Sequence, residues 1–169
     1  MAAVKSWYTE LFSVLRPLLF PNGGPIIMVQ VQCYLCPISI LFALNKMPIL
    51  PKYFLFIKIF NPFQVENEYG SFALQTGHKD MEYLTELRDL TRRMVGPGVE
   101  LFTTDGAGDN YLVQGVIPEV LPTVDFGCGG GVEEAFASQR RFAPRGPLVN
   151  SEYYPGWLDH WRVLIRDNL

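Results

Sequence analysis

Residues 65–106 read VENEYGSFALQTGHKDMEYLTELRDLTRRMVGPGVELFTTDG, and the order of elements in that stretch decides the class of the fold. Met81, Leu84, Leu87, Leu90 and Met94 recur at three- and four-residue spacing, the period of one apolar helix face. The spacing predicts a helix over His78–Val95, stopped by Gly96-Pro97. Val99–Thr104 (VELFTT) then reads as a short strand closing on Asp105-Gly106. Upstream, Pro25–Gln30 (PIIMVQ) lies behind Gly23-Gly24 and suits a buried strand. Before it, Ala3–Leu19 reads as a helix with Trp7, Leu11, Leu15 and Leu18 near one face and Pro17 in its last turn. Downstream come a strand at Leu121–Phe126 (LPTVDF), a glycine run, a helix over Val132–Phe142 and a last strand at Pro147–Tyr154 (PLVNSEYY). Strands alternating with helices predict an α/β fold whose parallel sheet is joined by crossovers.

The 169 residues make one domain by length, and 49% hydrophobic content is too high for a disordered chain. Fourteen basic against 17 acidic residues leave no cationic surplus to hold a phosphate backbone, which argues against nucleic acid as a partner. Three cysteines make neither an even disulfide set nor a four-ligand zinc site. Lys5, Glu10 and Arg16 interrupt the first segment, so no signal peptide is expected in this chain.

Charge is unevenly spread. Val31–Gln64 carries only Lys46, Lys52 and Lys58, and Pro37, Pro48, Pro51 and Pro62 would break any long element in it. One reading is a membrane segment around Met28–Leu44, against which stand Gln30, Gln32 and Pro37. The favoured reading is a hydrophobic insert foreign to the fold around it.

Each strand ends in carboxylates or small polar groups: Glu66-Asn67-Glu68, Asp105, Asp125 and Asn150-Ser151-Glu152. Parallel strands share one carboxyl-end face, where these groups converge, and in a (β/α)8 barrel that face carries the active site. Asp105 and Asp125 are read as caps or loop anchors. Glu68 and Glu152 lie in aromatic surroundings (Tyr69; Tyr153, Tyr154, Trp157 and Trp161) that suit a stacked sugar ring. Two facing carboxyls are what glycoside hydrolysis requires, one to protonate the leaving oxygen and one to attack the anomeric carbon.

Without Val31–Gln64 the flanks join as NGGPIIMVQ–VENEYGSF. That string resembles the signature of glycoside hydrolase family 35, the β-galactosidases of lysosomal and secreted type. The resemblance continues through AAVKSWYTELFSVLRPLL upstream, and LFTTDGA, TVDFG and GPLVNSEYYPGWLDHW downstream, collinear and in order. It implies an incomplete (β/α)8 barrel, about strands four to seven, with residues 1–30 and 65–161 as partial catalytic domain. It implies hydrolysis of terminal non-reducing β-D-galactose from glycoconjugates or oligosaccharides by double displacement, with no cofactor and no metal. Glu68 would be the acid/base, Glu152 the nucleophile, and Asn67 a ligand of the sugar 2-hydroxyl. Tyr154 and Trp157 would wall the pocket. A lysosomal or extracellular setting follows from the same resemblance.

Three departures bear on activity. Strands are missing at both ends, the insert interrupts the strand leading to Glu68, and Arg162–Leu169 does not resemble the family's continuation. The insert begins with Val and ends Phe-Gln, compatible with GT and TTTCAG intron boundaries, so a retained intron is expected. A non-catalytic truncated or misspliced product and a membrane-tethered interaction protein are the alternatives. Lesser signals are read as structural. Cys33 and Cys36 form a CxxC with no second pair, and Gly127-Cys-Gly-Gly-Gly131 precedes Glu133-Glu134, which would repel a phosphate. Asp105 and Asp109 lack full calcium-loop spacing, and His78 and Asp159-His160 lack a nucleophile motif.

Overall fold

The computed structural model of the protein describes residues 2–29, 40–42, 62–129, 131–154 and 156. In chain order the elements are α1 (Ala2–Leu15), 3-10 turns at Arg16–Leu18 and Phe20–Asn22, β1 (Ile26–Val29), β2 (Ile40–Phe42), β3 (Phe63–Asn67), α2 (Tyr69–Thr76), α3 (Met81–Val95), β4 (Leu101–Gly106), α4 (Asp109–Gly115), β5 (Leu121–Asp125), α5 (Val132–Phe142) and β6 (Asn150–Glu152). Strand and helix alternate from β3 onward, and strands joined through helices run parallel, as in an incomplete α/β barrel. The chain divides into two compact units. The first holds Met1–Asn67, Lys79–Thr103 and Ile117–Leu121; the second holds Glu68–His78, Thr104–Val116 and Pro122–Leu169.

In the first unit the strand order is β2-β1-β3-β4. Here the structure departs from the sequence reading. PIIMVQ and VENEY were expected to be two pieces of one interrupted strand, yet β1 and β3 are separate neighbours, parallel, with Val29 opposite Phe63. β2 adds to β1 antiparallel, with Val29 opposite Ile40. Parallel neighbours need a connection of roughly a dozen residues or more, which the stretch between β1 and β3 supplies. Phe63 and Gln64, assigned to the insert, open β3, and all five residues of that strand are buried.

α1 buries Tyr8, Phe12 and Leu15, while Trp7 is 45% and Leu18 40% exposed. Leu15 is buried as expected, but Tyr8 and Phe12 take the places expected of Trp7 and Leu11. Aromatic packing selects it: Tyr8 stacks on Phe12 with ring centroids 5.6 Å apart, and Phe12 meets Phe63 at 5.5 Å. α3 buries Leu84, Leu87 and Leu90 as its spacing predicts, whereas Met81 at its start is exposed and Met94 half-buried. Asp80 caps it by accepting the Tyr83 N–H at 2.9 Å. Gly96 ends it, and Arg92 donates to the carbonyls of Gly96, Pro97 and Val99 beyond the last turn.

In the second unit the order is β4-β5-β6. Leu112, Val124 and Ala135 form its core, flanked by Phe126, Phe136 and Phe142. Gln139 of α5 is fully buried and acts as a tie. Its Nε2 donates to Pro122 O (2.9 Å) and Pro147 O (3.3 Å), and its Oε1 accepts the Val149 N–H at 2.9 Å. One side chain thereby fixes the start of β5 and the approach to β6. The last strand is three residues long, shorter than the stretch Pro147–Tyr154 suggested. No helix among the described residues is long and apolar enough to cross a membrane, and most of Met28–Leu44, the alternative membrane segment, lies outside them.

Candidate active site

Glu68 follows the last residue of β3 and stands as the N-cap of α2 with φ 51°, in the left-handed region that non-glycine residues avoid. Its N–H donates to Thr104 O at 2.7 Å, and its carbonyl accepts from the N–H groups of Ser71 (3.1 Å) and Phe72 (3.3 Å). The turn is further clamped by Asp105, whose Oδ1 accepts the Gly70 N–H at 2.7 Å. Position 70 requires glycine because a Cβ there would lie 2.3 Å from the Tyr111 carbonyl oxygen. Asp105 therefore anchors a loop, as its place in the sequence suggested.

Glu152 ends β6. The pairing of β5 with β6 is irregular: Val124 lies opposite Asn150, but the next residue, Asp125, lies opposite Glu152. Two steps on β6 match one on β5, and an extra residue of this kind re-aims the side chains beside it. Asn150 fixes the local turn, donating through Nδ2 to Phe126 O (2.9 Å) and accepting the Glu152 N–H at Oδ1 (3.2 Å). Ser151 joins a layer of hydroxyls with Thr104 (2.7 Å) and Thr123.

The charge of Glu68 reaches Glu152, and the charges of Glu68 and Glu152 both reach Asp125. Burial raises the Glu152 carboxyl above its ordinary range, and the charge of Glu68 raises it further. Asp125 is pushed up to about 7, first by burial and then by the charges of Glu68 and Glu152. Tyr154 belongs to the same environment. Burial raises its hydroxyl first, then Asp125, with Glu68 and Glu152 adding to it against a lowering backbone hydrogen bond at Gly127. Its ring covers Gly127, where a Cβ would lie 2.5 Å from Tyr154 Cε2, and its carbonyl accepts the Cys128 N–H at 3.1 Å.

The other expected residues are placed as follows. Asn67, in the first unit, is buried, and its Oδ1 accepts from Gln64 Nε2 at 2.8 Å. Glu66 points to α3, where its Oε2 accepts the Tyr83 hydroxyl at 2.7 Å. Trp157, Cys33, Cys36, Asp159 and His160 lie outside the described residues. Gly129 and Gly131 adopt φ of 107° and 61°, making the glycine run a turn into α5. Asp109 is held by the Arg141 guanidinium at 2.7–3.0 Å, which lowers its carboxyl pKa. No group of three or more ligands that could hold a metal ion occurs among the described residues. Asp125, read from the sequence as a cap or loop anchor like Asp105, lies opposite Glu152 through a register that no local pattern encodes.

Residues 61–166 match glycosyl hydrolases family 35. This chain belongs to that family. It is similar to the β-galactosidase of Homo sapiens, 39% identical over 161 residues that make up 95% of this chain and 18% of that protein. The β-galactosidase of Mus musculus is also 39% identical, over 95% of this chain and 19% of its own length. A β-galactosidase-1-like protein of Mus musculus is 35% identical over the same share of this chain and 19% of its own. The chain thus spans about a fifth of the length of these curated relatives. Family 35 membership accounts for both carboxyl strings, VENEYG and NSEYY, lying within the matched residues.

Proposed function

We propose that this chain carries catalytic-domain residues of a retaining β-galactosidase that hydrolyses terminal non-reducing β-D-galactose. One observation supports the reading most: Glu68 and Glu152, distant in sequence, belong to one unit, and the charge of Glu68 acts on the Glu152 carboxyl. In the first step the Glu152 carboxylate attacks the anomeric carbon. The bond to the aglycone oxygen breaks, and that oxygen takes the proton of Glu68. In the second step Glu68 removes a proton from water, the water oxygen bonds to the anomeric carbon, and Glu152 leaves as carboxylate. Asn67 would hold the sugar 2-hydroxyl, and Tyr154 with Trp157 would wall the pocket. The substrates are β-galactosides of glycoconjugates or oligosaccharides, and the family's setting is lysosomal or extracellular.

The test is turnover of a chromogenic β-galactoside with added azide. Glu152→Ala should lose activity by at least ~10³-fold, and azide should restore turnover with α-galactosyl azide as product. Glu68→Ala should yield the β-anomer instead, because azide then intercepts the covalent intermediate. Unchanged turnover in either variant would overturn the assignment.

A further inference from the structure

We infer that Asp125 is a further sugar-binding residue of this site, a buried carboxyl opposite Glu152 that hydrogen-bonds a hydroxyl of the bound galactoside. The inference deepens the proposed function and rests on it. Asp125 ends β5 opposite Glu152 and is only 8% exposed. Its Oδ2 is nevertheless without a hydrogen-bond partner among the described residues. A buried polar atom left unsatisfied destabilises the fold, and a bound hydroxyl would remove that cost.

A purely structural role does not account for it. Asp105, at the corresponding end of β4, accepts the Gly70 N–H and anchors a turn. Asp125 caps no helix, since the N-cap of α5 is Gly131.

The groups facing Asp125 favour its neutral form. Glu68 approaches from the start of α2, Glu152 from β6 and Tyr154 from the segment after β6. From β4, Asp105 is engaged by Gly70, and Thr104 contributes an uncharged hydroxyl to the layer with Thr123. On α5, Glu133 and Glu134 are exposed. With burial, these surroundings keep a proton on Asp125 up to about pH 7. A neutral carboxyl both donates and accepts, as a sugar hydroxyl does.

The experiment uses the full chain with ¹³C-carboxyl-labelled aspartate and glutamate, titrated by NMR with and without D-galactose. One aspartate resonance, absent from Asp125→Asn, should titrate near pH 7 and move to a lower midpoint in Glu152→Gln. Galactose should shift that resonance and raise its midpoint, because binding prefers the neutral form. At pH 5.5, Asp125→Asn should bind galactose within about threefold of the parent and Asp125→Ala about tenfold more weakly. If galactose shifts the Glu68 and Glu152 resonances but leaves Asp125 unmoved, the inference fails while the proposed function stands. If galactose shifts no carboxyl resonance, both fail.

Discussion

At the scale of single residues, the backbone of Glu68 carries a conformational cost tied to its position. Its φ of 51° is one an L-residue adopts at roughly 1–2 kcal/mol, and glycine adopts freely. Yet the position holds a carboxylate, which fits the tendency of strained backbone to gather at functional sites. Glu68→Gly and Glu68→Ala both remove the acid. The glycine variant should be the more stable of the two by ~1 kcal/mol in urea unfolding, while both lack the proposed galactosidase turnover. Equal stability would show that the left-handed turn relaxes once the side chain is gone.

Among the elements, α5 holds β5 and β6 together through one amide. Gln139→Ala would leave the Val149 N–H and the Pro122 carbonyl without their partner, beyond the packing lost. A loss of about 2–4 kcal/mol in unfolding free energy is expected, read by urea midpoint at constant slope. Glutamine in a helix gives no hint of this duty, whereas the apolar ladder of α3 was plain, because a repeated spacing reports burial by itself. The helix expected over Val132–Phe142 occupies those same residues. The short helices Tyr69–Thr76 and Asp109–Gly115 were missed because eight and seven residues give too few turns for a periodic face. α1 is a helix as expected, but Tyr8 and Phe12 take the places expected of Trp7 and Leu11, since they choose a face according to Phe63, far along the chain. β1 and β3 were read as one strand because their flanks join into a family string. Their pairing side by side joins residues far apart along the chain, which no local pattern describes. Residue type and strand-end position single out Glu68 and Glu152 as the proposed catalytic pair. The orphaned oxygen of Asp125 and its irregular register with Glu152 exist only in three dimensions.

For the molecule as a whole, Asp125 ties stability to pH. Its folded-state pKa of about 7 lies above the ordinary 3.8, so the native state binds the proton more tightly than the unfolded chain. Stability from this group is therefore full below about pH 4, falls as pH rises, and is lost above about pH 7. The swing is on the order of 4 kcal/mol. Asp125→Asn removes it, so the variant should gain on the parent progressively between pH 4 and pH 7.5 in urea unfolding. A constant difference across that range would place Asp125 in contact with water.

β3 is buried along its whole length, with the polar residues Gln64, Glu66 and Asn67 as deeply enclosed as Phe63 and Val65. Amides in such a strand trade their protons for deuterons only when the surrounding unit opens, so they should be among the last labelled in an exchange time course. The carboxyl at position 68, the proposed proton donor, would then be tethered directly to some of the slowest-exchanging backbone among the described residues, held steady even while exposed turns breathe.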